Sequence, residues 1–229
     1  MREIVFRLLD PLIAGRSFRR TLEAGCGTGH FAQALTRRYG LPVFPIDLEW
    51  EGLRHARRLG VEKLAQADAA ALPFRSGSFD LAVSMDVIVH FPRGQEEPAA
   101  RELARVLAPG GILAMRVSAL DALRSRHSEF AHEQQRFTRG RLRALIERQG
   151  LEIVRCTYAN SLLTPLAFAK FRICEPLLRS KPQSGVQPVS PWLNRALYLP
   201  LAWESRWIGS GRDLPLGQSL ILLARKPPD

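Results

Sequence analysis

Three glycines at alternate positions, Gly25, Gly27 and Gly29, follow an acid at Glu23 in the run Leu-Glu-Ala-Gly-Cys-Gly-Thr-Gly-His-Phe-Ala of residues 22–32. Glycines so spaced allow positive φ and let backbone N–H groups approach a ligand closely, which is the chemistry of a cofactor cradle. The spacing is not that of a phosphate loop: a dinucleotide fingerprint reads G-x-G-x-x-G, a P-loop ends in Gly-Lys-Ser/Thr, and neither is present. Asp47 lies 22 residues beyond Gly25, close to the ~20 that separate a glycine turn from a ribose-binding acid. A carboxylate there accepts from both vicinal ribose hydroxyls; Glu49 competes for that role, and a plain helix N-cap is the structural alternative for Asp47. Of five histidines, His30 and His55 fall on helices and read as surface or packing residues. His90, His127 and His132 are the candidates for a general base, since imidazole suits proton transfer at neutral pH. His127 and His132 stand five apart in H-x-E-x-x-H, which does not put them on one helix face, and no third ligand accompanies them, so no metal is expected.

The elements that must position these residues follow from hydrophobic spacing. Residues 19–23 read as a short strand into the glycine turn, and His30 to Tyr39 as a helix with Phe31, Leu35 and Tyr39 near one face. Pro42 to Ile46 is a second strand ending at Asp47, with a helix over Glu49 to Leu59. Val61 to Ala67 is a third strand ending at Asp68-Ala69, and Asp80 to Met85 a fourth, which delivers Met85, Asp86 and His90 to the edge where α/β sheets bind ligands. Glu97 to Leu107 reads as a helix broken by Ala108-Pro109-Gly110-Gly111, with a fifth strand over Ile112 to Val117. A helix over Arg139 to Gln149, a strand over Leu151 to Tyr158 and a last strand over Gln218 to Arg225 complete the set. Residues 1–159 and 217–229 then form the core. Residues 160–216 form a helical insertion, with apolar pieces at Leu162 to Leu178 and Pro191 to Trp207 around a Pro, Ser and Gln-rich break at 180–191. The amphipathic stretch Met1 to Arg16 is a first helix, without a signal-peptide core or an acid-free transit composition.

The E-x-G-x-G-x-G form, the run "ADAAALPFRSGSFDLAVSMDVIVHF" at 67–91 and "ELARVLAPGGILAMRV" at 102–117 together resemble the type 11 family of class I S-adenosylmethionine-dependent methyltransferases. The resemblance spans roughly residues 20–118 and extends weakly through Phe137 to Pro165 and Leu214 to Pro227. It implies a Rossmann-like α/β fold, a seven-stranded sheet with helices on both faces and an antiparallel last strand between its neighbours. It also implies S-adenosylmethionine as cofactor, with the glycine loop wrapping its methionine end. Glu23, Gly25, Cys26, Gly27, Thr28 and Gly29 would form that cradle, Asp47 and Leu48 the ribose end. Asp68 would receive the adenine amino group and Ala69 offer its N–H to a ring nitrogen, as an adenine edge of one donor beside acceptors requires. Met85 and Asp86 would close the set at the tip of the fourth strand. The Pro-Gly-Gly turn is structural in the family. Many relatives carry a histidine, acid, basic and aromatic run after the fifth strand, over the active site; this chain departs from it with Ser128 and Gln134-Gln135-Arg136-Phe137.

Composition sets the frame. At 229 residues, 46% hydrophobic and 24% charged, the chain is a globular protein with one core and an appendage. Three scattered cysteines, at 26, 156 and 174, point to a reducing compartment and a cytoplasmic protein. No apolar run reaches the ~18 residues of a spanning helix. The net charge of +11 is carried by 29 arginines and four lysines, which fits coding bias as readily as a polyanionic partner. The Arg139, Arg141, Arg143 and Arg148 cluster reads as a solvated helix face, so nucleic acid is disfavoured. RNA methylation would call for an Asn-Pro-Pro-aromatic motif where Ser84-Met85-Asp86-Val87 stands. The expected activity is transfer of a methyl group to a small-molecule acceptor, with positioning and exclusion of water as the main task. The insertion's Trp192, Tyr198, Trp203 and Trp207 read as lid core, with a greasy acceptor channel or a membrane-facing surface as runner-up. The alternative from another class is a non-catalytic cofactor-binding or membrane-associated partner protein.

Overall fold

The computed structural model describes residues 2–174 and 190–228. Seven strands form one sheet in the order β3-β2-β1-β4-β5-β7-β6: β1 (Thr21–Ala24), β2 (Val43–Asp47), β3 (Ala65–Gln66), β4 (Phe79–Met85), β5 (Leu107–Ser118), β6 (Glu152–Ala159) and β7 (Ser219–Arg225). Strands β1 to β5 pair in parallel, and β7 lies antiparallel between β5 and β6. The chain winds outward from β1 to β3 and then returns to β4, so the carboxyl ends of β1 and β4 flank the switch point where such sheets open a crevice.

Alternation along each strand sends successive side chains to opposite faces. One face of β4, β5 and β7 presents Leu81, Val83, Ile112, Ala114, Ile221 and Leu223 to α1 (Arg2–Ile13), α2 (His30–Tyr39) and α3 (Trp50–Arg58). The other presents Ala82, Leu113, Met115, Leu220 and Leu222 to α4 (Glu97–Val106) and α6 (Arg139–Glu147). Between these two helices lies the short α5 (Arg126–Phe130), and α7 (Thr164–Ala169) and α8 (Pro191–Gly209) belong to the segment between β6 and β7. Helix α1 is fastened to α2 by Asp10, which takes the Arg38 guanidinium at 2.6 Å and the Tyr39 hydroxyl at 2.8 Å. The Arg38 hydrogen bond holds the Asp10 carboxyl below the usual range.

Three elements differ from the sequence expectation. The third strand pairs only at Ala65–Gln66 rather than over 61–67, because positive φ at Gly60 and Lys63 bends the chain that leads into it. The fifth strand starts at Leu107, before the Pro-Gly-Gly turn. Phe79 pairs with Leu107 and Leu81 with Ile112, so the extra residues of Ala108-Pro109-Gly110-Gly111 bulge out of the ladder. The bulge is pinned by paired backbone bonds of 2.9 Å, Gly110 N–H to the Lys226 carbonyl and Lys226 N–H to the Gly111 carbonyl. The Lys226 ammonium in turn donates to the Ala104 and Leu107 carbonyls at the end of α4, at 3.0 and 2.7 Å, where a cation suits the helix C-terminus. The piece expected over Leu162 to Leu178 is the short α7 running into a π-helical turn, Lys170–Cys174. Its last residues, and the break at 180–191 up to residue 189, lie outside the described residues.

Candidate cofactor and acceptor site

The glycine loop turns at the end of β1. The N–H groups of Gly25 and Cys26 both donate to the Ile46 carbonyl of β2 at 2.9 Å, and that of Gly29 to the Cys26 carbonyl at 2.8 Å. All three glycines have positive φ, but their surroundings separate them. A Cβ on Gly25 would lie 2.1 Å from the Val87 side chain, and one on Gly29 would lie 2.7 Å from Ala56 and 2.9 Å from Val61. Around Gly27 a Cβ would meet nothing within 4 Å. Gly25 and Gly29 are thus demanded by packing as well as by φ, while Gly27 faces open space.

Two carboxylates hold the loop. Asp47 accepts the Gly27 N–H at 2.6 Å on one oxygen and the Glu49 N–H at 2.9 Å on the other, so it fixes the loop and the entry to α3 together. The helix N-cap is Glu49, not Asp47. Glu23 sits on the α2 face of β1, 2% exposed, with one carboxylate oxygen buried and unpartnered. Burial pushes its carboxyl up to about 8, with the Asp47 charge adding to the effect and a hydrogen bond from the Ala32 backbone opposing it. A buried carboxyl with an open lone pair under a glycine loop fits a ligand that brings a cation or donors. Cys26 is buried, and burial, followed by the charges of Glu23 and Asp47, pushes its thiol up to about 12. It lines the loop as an inert thiol rather than as a nucleophile.

Asp68 is exposed and turns the chain by accepting the Ala70 N–H at 2.8 Å; Ala69 is buried. The loop beyond is carried by α4. Glu102 accepts the Leu72 N–H at 2.8 Å, and Arg105 donates to the carbonyls of Leu72 and Phe74 at 3.1 and 2.8 Å while bridging back to Glu102 at 2.6 Å. These two residues were not singled out from the sequence, although E-x-x-R on a helix at i, i+3 spacing is a readable pair.

At the tip of β4, Met85 is half-buried and Asp86 has φ of 59°. Asp86 is met by Arg116 of β5 at 2.5 Å, and Arg116 also reaches the Ser219 hydroxyl at the start of β7 at 3.2 Å. Asp86 Oδ1 and Arg116 Nε are both buried and unpartnered. Burial raises the Asp86 carboxyl, Arg116 and His90 oppose that, and the Glu133 charge adds to it. His90 closes a 3₁₀ turn over Ile88–His90 and is exposed, with Nδ1 3.3 Å from the His132 carbonyl. It is therefore the backbone of His132, at φ of 54°, that meets His90, and its own ring is exposed to solvent. His127 lies on α5, exposed, stacked on Phe130 at 6.5 Å. His90 and the His132 backbone thus meet near Asp86. Among the described residues no group of three or more His, Cys, Asp or Glu is placed to hold a metal.

The segment between β5 and α6 is tied down rather than loose. Gln134 and Gln135 donate backbone N–H groups to the Val89 carbonyl at 2.8 and 3.2 Å, and the Gln135 amide reaches the Phe91 carbonyl and Glu96 at 2.9 and 3.1 Å. Arg141 bridges Glu96 at 2.9 Å and also bonds Gln135. Burial opposes the Glu96 charge, but these bonds outweigh it and hold its carboxyl below the usual range. Arg139 lies over the Tyr158 ring at 5.0 Å. The arginines of α6 are thus not one solvated face: Arg139 and Arg141 are built into the fold, and Arg143 pairs with Glu147 at the surface.

Helix α8 is locked on the core by a residue the sequence did not flag. Glu204 is fully buried and accepts the backbone N–H groups of Asn160, Ser161 (2.9 Å) and Leu162 (3.4 Å) where the chain leaves β6. The helix keeps Trp192, Tyr198, Leu199 and Trp203 exposed. No helix among the described residues is long and apolar enough to cross a membrane.

This strand order, with a glycine turn at the switch point and acids at the tips of the next two strands, is a Rossmann-like α/β fold. A family profile described as a methyltransferase domain matches residues 22–115, so that stretch is similar to a methyltransferase domain. The chain is 38% identical over 125 residues to a malonyl-[acyl-carrier protein] O-methyltransferase of Enterobacter lignolyticus, covering 53% of this chain and 49% of that one. It is 37% identical over 109 residues to a 2-methyl-6-phytyl-1,4-hydroquinone methyltransferase of Synechocystis, covering 46% and 33%. The chain spans about a third to a half of the length of these curated relatives. Among solved structures it resembles the [4+2]-cyclase SpnF, with a TM-score of 0.63 at 21% identity over 99% of this chain and 81% of that one. It also resembles the Haemonchus contortus phosphoethanolamine N-methyltransferase 2 solved with S-adenosyl-L-methionine, with a TM-score of 0.61 at 18% identity over 97% and 52%. At these identities the structural likeness is one of fold.

Proposed function

We propose that this chain binds S-adenosylmethionine at the glycine loop and transfers its methyl group to a small-molecule acceptor. The observation that carries the reading is Glu23: a carboxyl 2% exposed, with an unpartnered oxygen, beneath a loop whose middle glycine faces open space. When bound, the cofactor supplies an electrophilic methyl group on a positively charged sulfur. The backbone of Gly25 to Gly29 with Glu23 would hold its methionine end, Asp47 and Leu48 the ribose, Asp68 and Ala69 the adenine, and Met85 and Asp86 the floor of the crevice. Asp47 is already aligned by two backbone N–H groups, so little ordering is left to be done on binding.

The remaining task is to place the acceptor and remove its proton. His90 is the residue suited to that. With Nδ1 facing the His132 carbonyl, the Nδ1–H tautomer is favoured and Nε2 is left with the free lone pair of a general base. His132 then acts through its carbonyl. Two buried thiols, Cys26 and Cys156, support a reducing, cytoplasmic setting.

Titration calorimetry with S-adenosylmethionine and S-adenosylhomocysteine tests the first half of the reading; no heat of binding at high micromolar concentration refutes it. Incubation with methyl-labelled cofactor and a cell extract tests the second, with label in a small-molecule fraction as the expected result. A second reading, a cofactor-binding protein seated on a membrane surface, is favoured by the exposed Trp192, Tyr198, Leu199 and Trp203 of α8. Flotation with anionic liposomes at low and high salt separates the two.

A further inference from the structure

A cleft of about 650 Å³ opens between the first turn of α1, the first turn of α2 and the inward side of α8. His30 and Phe31, which follow directly on Gly29, form one wall, so the cleft adjoins the glycine loop. Its apolar lining comes from Ile4, Phe31, Tyr198 and Leu201, and its charged lining from Arg2, Arg7 and Arg206 against one acid, Glu3. Glu3 lies 3.3 Å from Arg7. Among the described residues, the side chains of Arg2 and Arg206 make no hydrogen bond or ion pair, and both residues are exposed at the rim. On the wall supplied by α8, Ser205 is 4% exposed and its hydroxyl is buried without a partner.

We propose that this cleft binds an amphiphilic acceptor by an acidic group, a phosphate or carboxylate, held by Arg2 and Arg206 with its apolar body against Phe31, Tyr198 and Leu201. The assignment rests on the methyl-transfer reading for the word acceptor, and on the cleft itself for the chemistry. Two unpaired guanidiniums at the rim of a partly apolar cleft leave an excess of positive charge that an anionic ligand neutralises, and guanidinium is the group best shaped for a planar carboxylate or a phosphate. A neutral apolar ligand would leave the guanidiniums and the Ser205 hydroxyl unmatched. The apolar lining in turn gives a bare inorganic anion little to gain from the cleft's depth.

The test is calorimetry on the full chain with decyl phosphate below its micelle concentration, with inorganic phosphate and decyl maltoside as separate arms, each in the presence of S-adenosylhomocysteine. Decyl phosphate is expected to bind, about tenfold or more weaker in the Arg2→Gln/Arg206→Gln double variant and weaker at high salt. Decyl maltoside and inorganic phosphate are each expected to bind at least tenfold more weakly than decyl phosphate. Unchanged affinity of S-adenosylhomocysteine for the double variant shows that it is folded. Equal binding of decyl phosphate to wild type and variant overturns the proposal. Equal binding of the neutral amphiphile overturns the role of the acid, and equal binding of inorganic phosphate overturns the role of the apolar body. If S-adenosylhomocysteine fails to bind while decyl phosphate binds through the arginines, the methyl-transfer reading falls and the anion cleft stands.

Discussion

Replacing Glu23 by glutamine isolates the cost of keeping a carboxylate under the glycine loop. In the folded chain burial pushes the Glu23 carboxyl up to about 8, whereas the ordinary value is 4.5. Between these values the folded state holds a proton that the unfolded state has released. Stability therefore falls as pH rises from about 4.5 and levels off above about 8. At about 1.36 kcal/mol for each pH unit, the full loss is at most about 5 kcal/mol. Glutamine keeps the shape and cannot ionise, so the Glu23→Gln variant gains on wild type as pH rises. Urea unfolding of both proteins between pH 5 and 8.5 reads the difference directly, and it is expected to grow by roughly 1 kcal/mol per pH unit before levelling. Ligand binding supplies an independent sign. A cofactor whose amino group is cationic favours the ionised carboxyl, so below about pH 8 its binding to wild type releases a proton, seen as a dependence of binding heat on buffer, and binding to the variant does not. A stability difference that is flat with pH, together with equal proton release from both proteins, refutes the reasoning.

Alanine at Gly25 would place a Cβ 2.1 Å from Val87 at φ of 78°, so Gly25→Ala is expected to cost about 2–4 kcal/mol and abolish binding of S-adenosylhomocysteine; Gly27→Ala, with open space, is expected to cost only about 1 kcal/mol while still weakening that binding. Paired urea unfolding and calorimetry check the contrast. Glu204→Ala strands three backbone N–H groups and is expected to cost about 2–4 kcal/mol, with limited proteolysis cutting between β6 and α8 before the core. Arg116→Met leaves Asp86 without its partner at 2.5 Å; with both groups partly solvated a loss of about 1–2 kcal/mol is expected, measured by chemical unfolding.

Much of this architecture was legible because it is local. The strand, glycine turn and helix of residues 21–39 show in spacing alone, and α2 falls at His30–Tyr39 as the periodicity predicts. Asp47 falls at the end of β2 because it closes the apolar run of Pro42 to Ile46. What sequence could not supply are pairings across long stretches of chain. Arg116 meets Asp86 from 30 residues away and Ser219 from 103, and Glu204 meets Asn160 from 44. Nothing in a single charged residue on a strand or an apolar helix says which distant backbone will need it. The third strand misled for a related reason: the stretch from Val61 to Ala67 reads as extended, but Lys63 takes a positive φ, which composition does not announce.

The three glycines that look equivalent in sequence do different work, and this bears on where specificity resides. Gly25 lets β1 pass under Val87, Gly29 lets α2 pack on Ala56 and Val61 of the α3 unit, and Gly27 leaves the space in front. The loop's shape is therefore set by the packing of both neighbouring units as well as by the ligand, and Asp47 fixes it before any ligand arrives. A cradle so determined has little freedom to adapt to different acceptors. On the methyl-transfer reading proposed above, variation in the acceptor falls to α1, to α8 and to the Asp86–Arg116 end of the crevice. These parts are fastened to the core by Asp10, Glu204 and Ser219, at a few points that leave the cleft between the helices open.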